Sequence, residues 1–312
     1  MIYKKVNDMN VSAIVLGTDY YGSTVSDKEC MKLIDMYTDF GGNCIDTAKL
    51  YVDGKSEEII GKWLKGKSRD KVIISTKGAH PALSDMSKSR LSEAEFEEDL
   101  NSSLKRLDCE YIDLYWLHRD DNKKPVGPII EALNKFIRQG KIRNIGASNW
   151  TAERIREANT YAKEHALVSF CASQIKWSLA QTSPGYNDDP TLVEMNEKEY
   201  AFYKENPVSV FAFASQGKGF FSKMAQGGAE VLSEKAKERY YCEKNIRRFN
   251  ELLKIARGKS VSISAAAVSY IYSDKNTNSL AIIGPKNENQ LIDTIKYSDF
   301  VLTEKERGLL EL

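Results

Sequence analysis

Short apolar runs alternate with amphipathic helical segments along most of this chain, and that alternation restricts the fold more than any other feature. Strands that alternate with helices predict a parallel sheet, because parallel neighbours are joined by a crossover connection. Eight such units are enough to close the sheet, so we predict an α/β fold of the (β/α)8, or TIM-barrel, type. The predicted strands are Ile14 to Thr18, a short strand that ends with Cys44 and Ile45, Val72 to Lys77, Tyr111 to His118, Ile142 to Ser148, Ser169 to Trp177, Val208 to Ser215 and Leu280 to Ile283.

Four ionisable side chains lie at or just beyond the ends of three consecutive predicted strands. Asp46 and Tyr51 follow the second strand, Lys77 ends the third and His118 ends the fourth. Each also has an ordinary structural alternative, respectively a turn cap, a packing aromatic, a surface lysine and a buried histidine. The carboxyl ends of barrel strands are where (β/α)8 enzymes place their reacting groups. Their common position therefore favours a catalytic role for all four.

The sequence blocks that contain these residues resemble the aldo-keto reductase family. The family's Asp-Thr-Ala-x-x-Tyr-x-x-Gly-x-Ser-Glu block matches Asp46 to Glu57, and its Leu-His-Arg block matches Leu117 to Arg119. Its strand-ending lysine matches Lys77, and Gln-Gly-Lys-Ile-Arg-x-Ile-Gly-x-Ser-Asn matches Gln139 to Asn149. The matching order and spacing extend from Leu16 to Lys286, so the resemblance covers nearly the whole chain.

The resemblance also implies how the barrel begins and where it departs from strict alternation. Tyr3 to Ile14 has the pattern of a hairpin that turns at Asn7 and Asp8, and in the family a hairpin closes the bottom of the barrel. We expect one domain over residues 1–312, with the hairpin at 1–13 and a longer insertion at 216–260 between strands seven and eight. Near that insertion we predict helices over Glu230 to Ala256 and Ser264 to Tyr272, and earlier a loop over Ala180 to Pro190.

The four strand-end residues suit the reduction of a carbonyl group. A tyrosine has an ordinary pKa of about 10 and donates a proton poorly unless a positive neighbour stabilises its phenolate. Lys77 supplies that charge, Asp46 keeps the lysine ionised and oriented, and His118 helps to bind the substrate oxygen. The hypothesis is an oxidoreductase in which Tyr51 is the general acid, acting reversibly on an aldehyde or ketone and the alcohol.

The hydride donor that the resemblance implies is NADP(H), with NAD(H) as a compatible alternative. A Rossmann domain is disfavoured because no Gly-x-Gly-x-x-Gly follows the first strand. The family instead binds its dinucleotide in extended form across the top of the barrel. Carried over by position, Ser148, Asn149 and Gln174 would bind the nicotinamide carboxamide, with Trp177 in the place of the stacking aromatic. Gly17 and Thr18 are also assigned to the cofactor site.

The phosphates and the adenosine are assigned to the last two strand ends by the same resemblance. Backbone amides of Ser215, Gln216, Gly217, Lys218 and Gly219 are expected near the pyrophosphate, although the family's usual Ser-Pro-Leu has become Ala214-Ser215-Gln216. The adenosine ribose and a 2'-phosphate are expected near Gly284, Lys286, Asn287 and Gln290. Many family members have an arginine where Gln290 falls, which leaves Lys286 as the obvious cation and makes the preference for NADPH modest.

Aromatic and polar residues near the strand ends are expected to contact the substrate. We predict this role for Tyr20, Tyr21, His80, Arg119 and Trp150, although for His80 the position after Lys77 favours an ordinary loop histidine over a substrate contact. An aromatic mouth is compatible with a sugar, an aryl aldehyde or a quinone-like carbonyl. The sequence does not rank these three substrates.

Charge and composition disfavour other classes of partner. The chain has 45 Lys+Arg and 44 Asp+Glu, a formal charge of +1, so neither nucleic acid nor an acidic membrane surface is the expected partner. It has no run of about 18 apolar residues and its first residues do not resemble a signal peptide. We therefore expect a cytoplasmic protein, a monomer or weak homo-oligomer, that acts on a small-molecule carbonyl. The five cysteines show no paired spacing, and no metal site is expected.

Two alternatives to the reductase stay open from the sequence. Lys77 at a barrel strand end could form a Schiff base if its pKa were lowered, as in an aldolase. The barrel could also be a cofactor-binding sensor or regulatory subunit with little turnover. Turnover of generic carbonyls separates the reductase from the sensor.

Overall fold

Ten β-strands are present in the computed structural model, which describes residues 1–186 and 189–311. They are β1 (Tyr3–Val6), β2 (Met9–Ser12), β3 (Ile14–Gly17), β4 (Cys44–Asp46), β5 (Ile73–Gly78), β6 (Ile112–Leu117), β7 (Ile142–Ser148), β8 (Ala172–Lys176), β9 (Ser209–Phe213) and β10 (Ser279–Ile283). Strands β3 to β10 form a closed parallel barrel in chain order, with β10 hydrogen-bonded to β3. The predicted (β/α)8 barrel is therefore confirmed.

The hairpin predicted at the start of the chain is present and closes one end of the barrel. Strands β1 and β2 pair antiparallel, and Asn7 lies in the turn with a positive φ of 51°. Val6 and Val11, one from each strand, are completely buried and belong to the same apolar cluster as the residues inside the barrel. The hairpin thus fills the end of the barrel opposite the carboxyl ends of the strands.

Twelve α-helices accompany the strands within the described residues. They are α1 (Asp27–Asp39), α2 (Lys55–Leu64), α3 (Glu93–Leu107), α4 (Val126–Arg138), α5 (Ala152–Glu164), α6 (Glu197–Glu205), α7 (Phe220–Gly227), α8 (Glu234–Tyr240), α9 (Glu243–Lys259), α10 (Ile263–Tyr272), α11 (Glu288–Ile295) and α12 (Glu304–Glu311). None of them is both long enough and apolar enough to cross a membrane.

Local sequence determines where the first long helices begin. Ser26 caps α1 by accepting a hydrogen bond from the Glu29 amide, and Ser92 with Glu95 forms a capping box at the start of α3. Along α3, Phe96 and Leu100 are spaced four residues apart and are both fully buried. Burying each such side chain contributes about 1.5–3 kcal/mol, which fixes the helix against the barrel.

Two strand boundaries differ from the sequence predictions by more than one residue. Strand β8 begins at Ala172 rather than Ser169, and β9 ends at Phe213 because Ala214 takes a left-handed conformation with φ 53° that cannot continue a strand. The predicted loop over Ala180 to Pro190 contains neither helix nor strand in its described part, and Asn187 and Asp188 lie outside the described residues.

The helix predicted over Glu230 to Ala256 is wrong as a single element. Its residues form α8 and α9, which are separated at Tyr241 and Cys242, where the backbone at Cys242 is extended. The side chain of Asn245 donates to the carbonyl of Tyr240 at the end of α8. In a continuous helix, a backbone amide of the next turn would donate to that carbonyl instead. Helix α7 precedes this pair and was not predicted.

Large side chains fill the barrel interior. Trp116 of β6 and Phe211 of β9 meet there edge to face, with ring centroids 5.1 Å apart. Gly146 on the neighbouring strand β7 allows this arrangement, because a Cβ atom at that position would lie 2.3 Å from the Trp116 ring. This packed interior supports the strand ends that carry the candidate site.

Candidate active site

The barrel brings Asp46, Tyr51, Lys77 and His118 together at the carboxyl ends of β4, β5 and β6. Asp46 ends β4, Lys77 is the penultimate residue of β5, and His118 directly follows β6. Tyr51 begins a short 3-10 turn between β4 and α2. All except Lys77 line one open cleft of about 960 Å³.

Non-glycine residues with left-handed backbone follow several strands that border the cleft. Ala79 after β5, Asn149 after β7 and Ala214 after β9 have φ values of 62°, 57° and 53°. Such conformations cost energy and are concentrated at functional sites, where the surrounding structure holds them. Their distribution marks this end of the barrel as the candidate functional end.

Lys77 is buried, and its ammonium group is fully engaged by the protein. Its Nζ donates to Oδ2 of Asp46 at 2.5 Å, to the carbonyl of Thr47 at 2.7 Å and to the hydroxyl of Tyr51 at 3.1 Å. Burial alone would lower the pKa of Lys77, but the Asp46 carboxylate and the Tyr51 hydroxyl raise it above its ordinary value. Lys77 is therefore a fixed positive charge directly beside the Tyr51 hydroxyl.

Tyr51 keeps its proton in this environment. Burial raises the pKa of its hydroxyl, and the opposing effect of Lys77 does not bring it below the ordinary value. Since the hydroxyl oxygen accepts from Lys77, the hydroxyl proton is oriented away from the ammonium. The geometry gives Tyr51 the properties of a proton donor whose conjugate base has a positive charge beside it.

His118 is buried and neutral. Burial, together with the positive charges of Lys77 and Arg119, holds the pKa of its imidazole well below the ordinary range. Its ring lies edge-on to Tyr51, with centroids 6.1 Å apart, and to His80 at 4.7 Å. A neutral imidazole beside a phenol hydroxyl can hydrogen-bond a carbonyl oxygen that enters the cleft.

Gln174 connects Asp46 to the opposite wall of the barrel. Oδ1 of Asp46 accepts from Nε2 of Gln174 at 3.0 Å and from the hydroxyl of Ser75 at 2.7 Å. The side chain of Asn149 donates to the Ser148 hydroxyl at 3.1 Å and accepts from the Val193 amide at 3.2 Å. Gln174, Ser148 and Asn149 form a continuous polar wall beside Asp46.

Most of the residues predicted to bind cofactor or substrate line the cleft. They are Gly17, Thr18, Tyr20, Arg119, Ser148, Asn149, Gln174, Ser215, Gln216, Lys218, Gly219, Gly284, Lys286 and Gln290. The guanidinium of Arg119 is already bound by protein, since it donates to the His118 carbonyl at 3.0 Å and to the Thr191 hydroxyl at 2.9 Å. Nζ of Lys286 lies over the Tyr20 ring, 4.0 Å from its centroid.

Three predicted aromatic contacts are corrected by the structure. Tyr21 and Trp150 are completely buried, and Trp150 donates its indole N–H to the Arg119 carbonyl. Trp177 is 7% exposed and packs edge-on against Tyr200 and Tyr270. These side chains turn into the packing layer rather than into the cleft, because a position at a strand end does not fix which way a side chain points.

Three further predicted residues do not line the cleft. Gly217 faces away from it, because a Cβ there would lie 2.6 Å from Ala180. Asn287 caps α11 by accepting from the Gln290 amide, while the neighbouring Asn289 lines the cleft. His80 is half-buried against the His118 ring, and its Nδ1 is 2.6 Å from the Pro81 carbonyl.

Several cleft residues were missed by the sequence analysis. Asp19 directly follows Gly17-Thr18 and Phe213 directly precedes Ala214-Ser215, so both adjoin blocks that were already assigned. Lys223 and Gln226 on α7 and Arg239 on α8 also line the cleft. No local motif marks these three, because they reach the cleft through the fold of the insertion.

A second depression differs from the cleft in its lining. It has a volume of about 510 Å³, lies between α3 and α4, and contains none of the predicted residues. Within residues 1–186 and 189–311, no cluster of three or more His, Cys, Asp or Glu side chains is arranged to hold a metal ion.

Comparison with known proteins is consistent with the geometry of this site. Residues 13–311 match the model of the "Aldo/keto reductase family". A "Probable voltage-gated potassium channel subunit beta" of Oryza sativa subsp. japonica is 30% identical over 90% of this chain and 85% of its own. The "Uncharacterized oxidoreductase YrpG" of Bacillus subtilis (strain 168) is 29% identical over 95% and 90%.

A solved structure agrees over the full length. The thermostable aldo-keto reductase Tm1743, crystallised with the inhibitor epalrestat, matches with a TM-score of 0.74 and 25% identity over 100% of this chain and 99% of its own. The "Norsolorinic acid reductase stcV" of Emericella nidulans is 25% identical over 96% of this chain and 77% of its own. The family match over nearly the whole chain, the barrel and the strand-end residues agree, and the chain belongs to the aldo/keto reductase family.

Proposed function

We propose that this chain is an NADP(H)-dependent reductase of aldehydes or ketones in which Tyr51 is the general acid. The observation that carries the proposal is the chain of contacts from Asp46 through Lys77 to the Tyr51 hydroxyl. The family match supports oxidoreductase activity on carbonyls. When bound, a reduced nicotinamide would supply the hydride.

The protein's own residues would manage the proton and the developing negative charge. The carbonyl oxygen would accept hydrogen bonds from Tyr51 and His118 while negative charge grows on it. Tyr51 would then transfer its proton to that oxygen, and the fixed positive charge of Lys77 would stabilise the phenolate. Asp46 would hold Lys77 in place throughout, because it accepts from the ammonium and is itself bound by Ser75 and Gln174.

The polar wall beside Asp46 suits the amide of a nicotinamide. Because Nε2 of Gln174 is engaged by Asp46, its carbonyl oxygen would accept from the carboxamide N–H. The Ser148 hydroxyl would donate to the carboxamide oxygen, supported by Asn149. We also propose that Phe213, which lines the cleft, stacks on the nicotinamide ring in place of Trp177.

The walls that follow β9 and β10 suit the phosphates. Lys218, Lys223, Arg239 and Lys286 line the cleft there, together with Gln216 and Gln290. Lys286 is exposed, and its own amide donates to the Gln290 side chain at 2.8 Å, which fixes the turn before α11. This concentration of positive charge favours NADP(H) over NAD(H), with Lys286 as the proposed contact to the 2'-phosphate.

The aldolase alternative is disfavoured by the state of Lys77. A Schiff-base lysine must be unprotonated to attack a carbonyl, whereas the ammonium of Lys77 donates to three protein groups and its pKa is raised. The regulatory-subunit alternative is favoured by one observation, the similarity to a channel beta subunit of rice. Intact Tyr51, Lys77 and His118 positions favour turnover instead.

Fluorescence titration with NADPH and NADH, followed by NADPH oxidation in the presence of 4-nitrobenzaldehyde, methylglyoxal and an aldose, tests the proposal. We expect tighter binding of NADPH than of NADH and turnover with at least one carbonyl. Binding without turnover would favour the regulatory subunit. No binding of either cofactor would contradict the proposal, and borohydride trapping of Lys77 would then test the aldolase.

A further inference from the structure

A buried carboxylate outside the cleft binds two of the segments that carry the proposed catalytic residues. Asp99 on α3 is 1% exposed. Its Oδ2 accepts from the backbone amide of Ala79 at 2.8 Å, and its Oδ1 accepts from Arg90 at 2.8 Å and from the ammonium of Lys49. Its side chain thus binds one backbone N–H and two cations from three places in the chain.

Two of the partners of Asp99, Lys49 and Ala79, lie next to residues of the proposed reaction. Lys49 precedes Tyr51 by two residues, and its backbone amide donates to the carbonyl of Lys77 at 3.1 Å. Ala79 follows Lys77 by two residues, and the intervening Gly78 accepts from the backbone amide of His118 at 2.9 Å. Through Lys49 and Ala79, Asp99 is therefore connected to the backbone around Tyr51, Lys77 and His118.

Helix α3 packs closely against the end of β5. A Cβ on Gly78 would lie 2.9 Å from the Cβ of Asp99 and 2.0 Å from the hydroxyl of Tyr115. Ala79 is held in a left-handed conformation, and the bond to Asp99 fixes the amide of that residue. A change at Asp99 is therefore transmitted to the backbone that leaves β5.

The negative charge of Asp99 is as important as its hydrogen bonds. Lys49 and Arg90 converge on one oxygen, with Glu98 at 3.9 Å from Lys49 and 3.2 Å from Arg90 as a more exposed acid. Glu95, 3.9 Å from Arg90, is the remaining acid at this cluster. An amide in place of the carboxylate would leave two cations close together with only the less buried Glu98 and Glu95 to neutralise them.

We propose that Asp99 is a positioning residue that sets the relative placement of Tyr51 and Lys77. The inference rests on the proposed reductase function. Asp99 does not line the cleft. We therefore expect its replacement to lower the rate of the chemical step and to leave ligand binding unchanged. The link to Tyr51 passes through Lys49, and the link to Lys77 passes through both Lys49 and Ala79.

The primary test compares Asp99→Asn with Asp113→Asn. Asp113 is a matched control, because it is also buried and accepts from an arginine, Arg69 at 2.7 Å, and from a backbone amide, Ile74 at 2.9 Å. It lies near the start of β6, away from the cleft. We expect kcat for 4-nitrobenzaldehyde to fall by about 10- to 100-fold in Asp99→Asn, with KM and the Kd for NADPH changed by less than about threefold. Asp113→Asn should lower Tm and leave kcat near wild type.

The pH profile separates positioning from general loss of structure. Displacing Lys77 weakens its stabilisation of the Tyr51 phenolate, so the apparent pKa for alcohol oxidation should rise in Asp99→Asn and stay unchanged in Asp113→Asn. The double variant Lys49→Met/Asp99→Asn should have nearly the same kcat as Asp99→Asn alone, because both substitutions break the same Lys49–Asp99 contact. If Asp99→Asn does not fold, Lys49→Met alone tests the same link and should also lower kcat without raising KM.

Unchanged kcat in folded Asp99→Asn, or equal losses in the two aspartate variants, would overturn the inference. A wild-type protein without turnover would contradict the proposed function instead. In that case amide hydrogen exchange supplies the test, because the amides of Ala79 and Lys49 should exchange faster in Asp99→Asn but not in Asp113→Asn. Equal protection in both variants would then reject the role of Asp99.

Discussion

The ammonium of Lys77 lies 3.1 Å from the hydroxyl of Tyr51 and also binds Asp46 and the Thr47 carbonyl. In the proposed mechanism, this relationship gives the two residues different parts in proton transfer. Lys77 has no proton left to direct at a ligand, since its three donors are used within the protein. Tyr51 is the residue whose proton can enter the cleft.

The first prediction concerns the hydroxyl of Tyr51. Tyr51→Phe should reduce kcat for carbonyl reduction by about 10²- to 10⁴-fold, because the ring stays while the proton donor is lost. NADPH titration should give nearly the wild-type Kd. The matched control is Tyr21→Phe, which removes a hydroxyl that is buried in the core and should leave kcat unchanged. Equal turnover by Tyr51→Phe and wild type would exclude Tyr51 as the acid.

The pH dependence follows from the two shifted groups. Burial raises the pKa of Tyr51 above its ordinary value, so the protonated acid persists through the neutral range and reduction should slow only in alkaline solution, above about pH 10. Burial lowers the pKa of His118 well below about 6.5, so no step should appear in kcat near that pH. Steady-state rates from pH 5.5 upward check both expectations. A step near pH 6.5 that disappears in His118→Asn would show that the imidazole titrates.

Lys286 should discriminate between the two cofactors. Lys286→Glu should weaken the binding of NADPH by roughly tenfold or more and the binding of NADH much less, because only NADPH has the 2'-phosphate. Lys296→Glu makes the same charge change on an exposed residue that does not line the cleft, and should affect both cofactors little. Fluorescence titration of each of the two variants with each cofactor gives the four dissociation constants. Equal weakening of NADPH and NADH by Lys286→Glu would reject the phosphate contact.

Phe213 and Trp177 should respond differently to truncation. Phe213→Ala should raise the Kd for NADPH by about two- to tenfold through loss of ring stacking, with little change in Tm. Trp177→Ala should chiefly lower the free energy of unfolding, by about 3–5 kcal/mol, because that side chain is packed in the core. Denaturant titration and cofactor binding measure the two effects. The opposite result would restore Trp177 as the stacking residue.

Asp19 should bias the enzyme against anionic substrates. Its exposed carboxylate lines the same cleft as Tyr51 and His118, while the guanidinium of Arg119 is occupied by protein contacts. Asp19→Asn should raise kcat/KM for 4-carboxybenzaldehyde by about fivefold relative to 4-(trimethylammonio)benzaldehyde, the effect of roughly 1 kcal/mol between screened charges. Benzaldehyde serves as the neutral reference.

Asp293→Asn is the control for that charge series. Asp293 lines the cleft on α11, near the proposed adenosine site, and its loss should leave the ratio between the two charged aldehydes unchanged. An unchanged ratio in Asp19→Asn as well would show that Asp19 does not face the substrate.

The sequence predicted residues that the strand ends bring to the cleft. It did not predict which side chains near those ends point into the cleft and which point into the core. The alternation of strands and helices fixed the barrel, and the block from Asp46 to Glu57 fixed the position of Tyr51. Trp177 and Phe213 both lie near strand ends, but only the closed barrel shows that Phe213 borders the cleft. Asp99 could not be found from a motif, because its partners lie 9, 20 and 50 residues away. Contacts over such separations are products of the fold.

The close approach of Gly146 to Trp116 has a consequence for how this barrel can change over evolution. A side chain at position 146 would occupy the space of the Trp116 ring, so Gly146 cannot be replaced alone by a larger residue without rebuilding the barrel interior. A smaller residue at position 116 would relieve the clash with the ring, and a Cβ at position 146 would then still lie 3.1 Å from the Ala172 carbonyl oxygen. The two positions are therefore expected to vary jointly among related chains, with glycine at 146 retained wherever tryptophan occupies 116.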